Sequence, residues 1–188
     1  MDKMQYRTAL SRFETREEES GKYIEGYFAV FNSLYEMWEG ATESVDPHAF
    51  DETLGNDIRC LINHDSTLVL GRNKAGTLEL RVDDRGLWGR VLINPNDQDA
   101  VNLYERVKRG DVDQCSFGFR ILEESTEMDG EKIHWTLLRV ELYEVSICTF
   151  PAYEETGVYA RKDEVRERQL DALKANLRRK LKGEDACA

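Results

Sequence analysis

Residues 132–150 read KIHWTLLRVELYEVSICTF. No Gly or Pro interrupts the stretch before Pro151, and its β-branched and aromatic residues suit a pleated chain. Strict alternation places Glu141 with Tyr143, Val145 and Ile147, and Glu144 with Leu142, Ser146, Cys148 and Phe150. Both sets are substantially apolar, so the strand is expected to be buried on both faces. A carboxylate in such a strand is costly unless paired. Glu144 therefore belongs either to a structural ion pair or to a site.

Upstream, Met128-Asp129-Gly130 supplies a turn that makes this strand one arm of a hairpin. The stretch before it, VDQCSFGFRI at 112–121, alternates Cys115, Phe117, Phe119 and Ile121 with Ser116, Gly118 and Arg120. A second hairpin is expected from TLELRV (77–82) and LWGRVLI (87–93) around Asp83-Asp84-Arg85-Gly86. KYIEGYFAVF (22–31) and IRCLI (58–62) read as further strands. Asn96 or Asp97 can cap a helix whose Ala100, Leu103, Tyr104 and Val107 share one face, with Gly110 as its stop. Asp46-Pro47 is a further helix-start signal. These elements predict a mainly β, α+β domain: a barrel or barrel-like antiparallel core with peripheral helices. The domain is expected over 1–160. A tail over 161–188 should contain an amphipathic helix with Leu170, Leu173, Leu177 and Leu181 in one stripe.

The chain has 188 residues, 40% hydrophobic and 34% charged. It contains no apolar run of membrane-spanning length, and its first residues lack the apolar core of a signal peptide. Cys60, Cys115, Cys148 and Cys187 form no CxxC pair, which fits a reducing cytosol better than a disulfide scaffold. The net charge is −11, yet residues 161–182 hold nine Lys/Arg against four Asp/Glu. The acidic excess thus lies in the body, which argues against nucleic acid as its partner. The basic tail is either a solvated helix face or a contact for an acidic partner.

Three histidines exist. His134 lies mid-strand, where a structural role is expected, and His48 sits in a helix-start segment. His64 stands where an apolar strand ends and a polar loop begins, a position that fixes the backbone and lets the ring face a cleft. Ser116 is either a passive strand residue or a nucleophile. The second role requires a neutral imidazole to take its proton and donors to meet the oxyanion. Gly118 leaves room for a substrate backbone or marks a bulge. Cys60 and Cys115 lie among apolar neighbours, where a thiol is usually inert. A metal site from Cys60, His64, Cys115 and Cys148 fits no zinc spacing.

Taken in order, GYFAVFN, VDPHAFDETL, CLINHDSTLVLGR, GTLELRVDDRGLWGRVLI, VDQCSFGFRI and LYEVSICTFPAYEET resemble the prohead maturation protease family of tailed bacteriophages and prophages. The resemblance covers about residues 20–160 and rests most on NHD, SFGF and EVS followed by PAY. It implies a serine endopeptidase distantly similar to the herpesvirus assemblins, with a barrel-like core. Such an enzyme works inside the immature capsid, in the cytoplasm of the bacterial host. It cuts scaffold protein or the scaffolding segments of the major capsid protein, and itself. By the same resemblance His64 and Ser116 are the catalytic pair, and the acid of EVS, Glu144, is the third member, with Glu141 as the alternative. Backbone amides around Phe117 and Gly118 are the expected oxyanion donors. Neither a metal nor an organic cofactor, nucleic acid or membrane is implied, and a homo-oligomer is expected. Where a plain apolar residue such as Met is expected before the nucleophile, this chain has Cys115, which opens a thiol-hydrolase alternative. A non-catalytic capsid-assembly module with the same fold is the other alternative.

Overall fold

The structure is a computed structural model that describes residues 4–10, 13–130 and 132–150, with positions 162, 165, 166, 170, 171, 174 and 178 beyond. The chain divides into two units, Met1–Glu154 and Glu155–Ala188. The helix expected over 161–188 falls chiefly outside the described residues. In chain order the first unit has β1 (Gln5–Leu10), β2 (Glu14–Glu18), β3 (Gly21–Val30), β4 (Tyr35–Trp38), β5 (Ala41–Val45), β6 (Arg59–Ile62) and β7 (Asp65–Arg72). It continues with β8 (Leu78–Val82), β9 (Gly86–Ile93), α1 (Gln98–Arg109), β10 (Gln114–Asp129) and β11 (Lys132–Cys148).

The strand that opened the sequence reading is β11, and it is the spine of the larger sheet. Its one edge pairs with β10 in antiparallel sense from Lys132 to Cys148. Its other edge is shared: β5 pairs in parallel with Ile133–Leu137, and β6 in parallel with Glu144–Ile147. The chain between β5 and β6 completes the edge. Asp46 N–H donates to Leu137 O at 3.0 Å, and Val140 N–H donates to Ala49 O at 3.0 Å. Leu142 N–H donates to Thr53 Oγ1 at 2.8 Å. No buried backbone group can be left unpaired cheaply, so these bonds hold the connection against β11.

That role explains a correction. The helix expected from Asp46-Pro47 is instead a run of turns with i→i+3 bonds, from Ala49 N–H to Asp46 O, Asp51 to His48, Thr53 to Phe50 and Asn56 to Thr53. In a helix Ala49 O would accept from Thr53, but here it serves Val140. The Asp46 cap survives, with Oδ1 accepting from His48 N–H at 2.8 Å.

The barrel-like expectation is also corrected. There are two sheets: a seven-stranded one ordered β1-β10-β11-β5-β4, with β6 on β11 and β7 on β6, and a four-stranded one ordered β2-β3-β9-β8. Among the described residues neither closes, and the parallel pairings of β11 make the larger sheet mixed. It is nonetheless curled. Arg7 on β1 and Glu43 on β5 lie three strands apart, yet they form a buried ion pair. Strand spacing alone would separate them by at least about 14 Å in a flat sheet. Bulges between Gly118 and Phe119 and again between Ile121 and Glu124 provide the bend.

The two sheets enclose the core, where Phe28, Phe50, Phe117, Phe119, Leu87 and Val145 are almost wholly buried. The helix α1 matches its reading closely. Asp97 caps it through bonds from Asp99 and Ala100 N–H, and Gly110 ends it with φ +87°. Its Ala100, Leu103, Tyr104 and Val107 are buried.

Candidate functional site

The strand β6 turns into β7 through only two residues, Asn63 and His64, since Ile62 is the register partner of Asp65. Where a polar loop was expected there is a tight hairpin. Both residues have positive φ, 51° and 61°, as a type I′ turn requires. Positive φ is uncommon for any residue but glycine, and asparagine and histidine are among the side chains that tolerate it best. The turn is pinned to β11: Asn63 N–H donates to Ile147 O at 3.1 Å, His64 N–H to Ser146 Oγ at 3.3 Å, and Asn63 Oδ1 accepts from Thr149 N–H at 2.9 Å. Two left-handed residues held by three bonds fix where the imidazole points.

It points at Glu144. His64 Nδ1 lies 2.5 Å from Glu144 Oε1, and Ser146 Oγ donates to Glu144 Oε2 at 2.6 Å. Glu144 and Ser146 are 6% and 0% exposed. The short O–H···O contact is typical of a hydrogen bond to an ionised carboxylate. The Tyr6 ring meets the His64 ring edge-on, with centroids 4.5 Å apart. Burial and the Glu144 charge raise the Tyr6 hydroxyl above its usual pKa.

The register of β1, β10 and β11 sets the rest. Thr8, Ser116 and Ser146 form one rung across the three strands, and Tyr6, Gly118 and Glu144 form the rung two residues along. Directly paired residues project to the same face, so Ser116 shares the face of Ser146 and Glu144, on which His64 is tethered. Cys115 takes the opposite face, where its Sγ donates to Tyr27 O at 3.2 Å between the sheets. Ser116 Oγ and His64 Nε2 are both buried and, among the described residues, neither makes a hydrogen bond. The structure thus joins His64 to Glu144 directly. It sets Ser116 on the same face without a bond to the ring.

Strict alternation fails along this part of β11. Phe117 pairs with Val145, Gly118 with Glu144 and Phe119 with Leu142, so Tyr143 is an extra residue on β11 and the bulge shifts the faces. Leu142 joins the core instead of lying with Glu144. Glu141 is engaged elsewhere, by Arg120 at 2.6 Å and by the Tyr143 hydroxyl at 2.7 Å. Of the two acids, Glu144 is the one that meets the imidazole.

Gly118 has a different use from the expected one. A Cβ there would sit 2.5 Å from Glu144 Oε1, 3.1 Å from its Cγ and 3.0 Å from Tyr6 Cε1. Its lack of a side chain makes the space that the carboxylate occupies. Phe117 and Gly118 belong to a segment of β10 paired on both edges, so their amides lie in the sheet plane rather than facing a cleft. This placement gives no support to their expected oxyanion role. Gly118→Ala is expected to displace Glu144 and to cut any His64-dependent hydrolysis by about 100-fold. Circular dichroism should show the fold retained, and the rate is the measurement that checks it.

His134 and His48 stand apart from this cluster. His134 bridges Thr42 Oγ1 and Ser44 Oγ at 2.8 and 2.9 Å, a structural role, and His48 contacts Asp51 at the surface. Burial pushes the Cys60 thiol well above its ordinary range, and that of Cys148 up to about 12. At pH 8 the Cys148 thiolate fraction is then about one in ten thousand. Cys115 is buried on the face away from His64, so iodoacetamide is expected to leave hydrolysis unchanged at pH 8, and inhibition that follows alkylation of Cys115 would restore the thiol alternative.

Sequence reasoning missed Ser146 and Tyr6. For Ser146 a signal existed, since alternation already set it on the face of Glu144. For Tyr6 there was none, because Gln5–Leu10 carries no turn or hairpin cue that marks it as a strand.

Comparison with known proteins adds three findings. The family model described as Caudovirus prohead serine protease matches residues 11–174. The prohead protease of Enterobacteria phage HK97 is 28% identical over 158 residues, covering 81% of this chain and 68% of that protein. Among solved structures, the capsid assembly protease gp21 of bacteriophage T4 is similar with a TM-score of 0.49 at 12% identity, covering 78% of this chain and 99% of that chain.

Proposed function

This chain belongs to the caudovirus prohead serine protease family, and from that premise we propose that Ser116, His64 and Glu144 are its nucleophile, general base and orienting acid. The observation that carries this reading is the pairing of His64 Nδ1 with Glu144, which leaves Nε2 as the free ring nitrogen on the face that bears Ser116. A carboxylate at Nδ1 holds the proton there and keeps the Nε2 lone pair available.

In the acylation step Ser116 Oγ attacks the scissile carbonyl carbon and its proton passes to His64 Nε2. The tetrahedral intermediate collapses when Nε2 returns that proton to the leaving amide nitrogen, which breaks the C–N bond. A water then attacks the Ser116 ester, again with Nε2 as base. The acid product departs and the serine is regenerated. Glu144 balances the imidazolium in both transition states and is not itself protonated. The Ser116–Nε2 bond forms with substrate in place, since catalytic hydrogen bonds are often open in the free enzyme.

The substrates are scaffold protein or the scaffolding segment of the major capsid protein, and the chain itself, cut inside the immature capsid in the host cytoplasm. The catalytic unit is 1–160, and the basic tail over 161–188 lies outside it. Intact-mass spectrometry of the chain co-expressed with its capsid protein tests this. Discrete truncated capsid fragments are expected with the native chain and none with Ser116→Ala. The same fragments from both would end the assignment.

A further inference from the structure

Ser146 has no part in the chemistry just described, yet it is wholly buried and bonds both to His64 and to Glu144. Its hydroxyl has one proton and two lone pairs. The proton goes to Glu144 Oε2 at 2.6 Å, and a lone pair receives the His64 backbone N–H at 3.3 Å. One side chain therefore ties the carboxylate to the turn that carries the imidazole. We propose that Ser146 is a positioning residue that locks the Glu144 carboxylate against His64 Nδ1, and so sets the tautomer on which proton transfer depends.

Three features support it. Glu144 has two oxygens and two donors, His64 Nδ1–H on one and the Ser146 hydroxyl on the other, so neither oxygen is free to rotate toward a competing donor. His64 adopts φ +61°, a conformation that needs an outside hold, and its N–H has Ser146 as that hold. Ser146 is also the register partner of Ser116, which places the lock on the same rung as the nucleophile. The Ser146 proton is committed to a carboxylate, so this hydroxyl is poorly set to act as the nucleophile itself.

The inference rests on the triad reading, and the experiment separates the two. Ser146→Ala and Ser146→Thr are made in the full chain, and cleavage of co-expressed capsid protein is timed. Imidazole ¹⁵N–¹H correlation spectra record where the His64 ring proton resides, with His48 and His134 as internal references. Ser146→Ala is expected to slow cleavage by about 10- to 100-fold. The His64 Nδ1–H signal should lose intensity to the Nε2–H form while the His134 signals stay in place. Ser146→Thr, which keeps the hydroxyl, should recover most of both. A rate within about twofold of the parent, with an unchanged His64 signal, overturns the proposal. So does a threonine variant no better than alanine in the spectra. If Ser116→Ala still cleaves, the triad reading fails, and the His64 spectra of the Ser146 variants then decide the positioning role alone.

Discussion

Ser116→Ala is expected to remove cleavage, by about 10⁴-fold or more, and to make the protein more stable than its parent. The first effect follows from the loss of the attacking oxygen, and the neighbouring Ser146 hydroxyl cannot stand in for it because its proton is bound to Glu144. The second follows from burial. Ser116 is 0% exposed and its hydroxyl makes no hydrogen bond among the described residues. A buried, unpaired hydroxyl costs about 1 kcal/mol or more, and alanine deletes it with almost no change in volume. For a unit of this size that corresponds to a rise in Tm of about 2–4 °C. Differential scanning calorimetry beside the cleavage assay checks both. A serine that merely sat on a strand would leave the rate alone. A serine that held structure would lower Tm.

Glu144→Gln is the second large effect, expected at about 10³- to 10⁴-fold in rate with the fold intact. The reason is arithmetic of donors and acceptors. Glu144 accepts two hydrogen bonds, one from His64 Nδ1–H and one from Ser146. Glutamine has one acceptor oxygen and one donor nitrogen. If its oxygen faces Ser146, its NH₂ faces Nδ1, and the ring proton is driven to Nε2, where it blocks the base. If its oxygen faces Nδ1, the NH₂ meets the Ser146 hydroxyl and strands that proton in a buried site. A rate loss below about tenfold would show that His64 works without the carboxylate. Glu141→Gln supplies the comparison. It breaks a half-exposed pair with Arg120 and should change the rate by less than twofold.

The strands that carry the site were legible because their signals are local. Alternation marked β10, turn chemistry marked the β8–β9 hairpin, and capping residues marked α1. His64 was singled out from its place at the end of an apolar strand, and Glu144 from the expense of a lone carboxylate in a buried one. Bulges defeated the finer reading, since a single extra residue, Tyr143, opposite the Gly118–Phe119 step moved Leu142 to the other face from Glu144. Parallel pairing was equally invisible. Nothing within IRCLI tells whether its partner runs with it or against it, and that choice separates two sheets from the barrel-like core expected. The turn run after Asp46 carried a true cap, but the destination of the Ala49 carbonyl is a tertiary fact. The Ser146 contacts were half legible, its face from alternation and its partners only from the fold.

The parallel docking of β6 on β11 has a consequence for how the chain comes to life. His64 leaves the ribosome 80 positions before Glu144 and 82 before Ser146, the residues that bind its ring and its backbone. Until β11 is made, the Asn63-His64 turn lacks the strand that holds it, and no chain ending before residue 144 has the carboxylate that orients the His64 ring. Contacts of such long range form late and slowly. If the proposed triad is right, a protease built this way is expected to stay inert through most of its own synthesis, its competence arriving with the last described strand of its larger sheet.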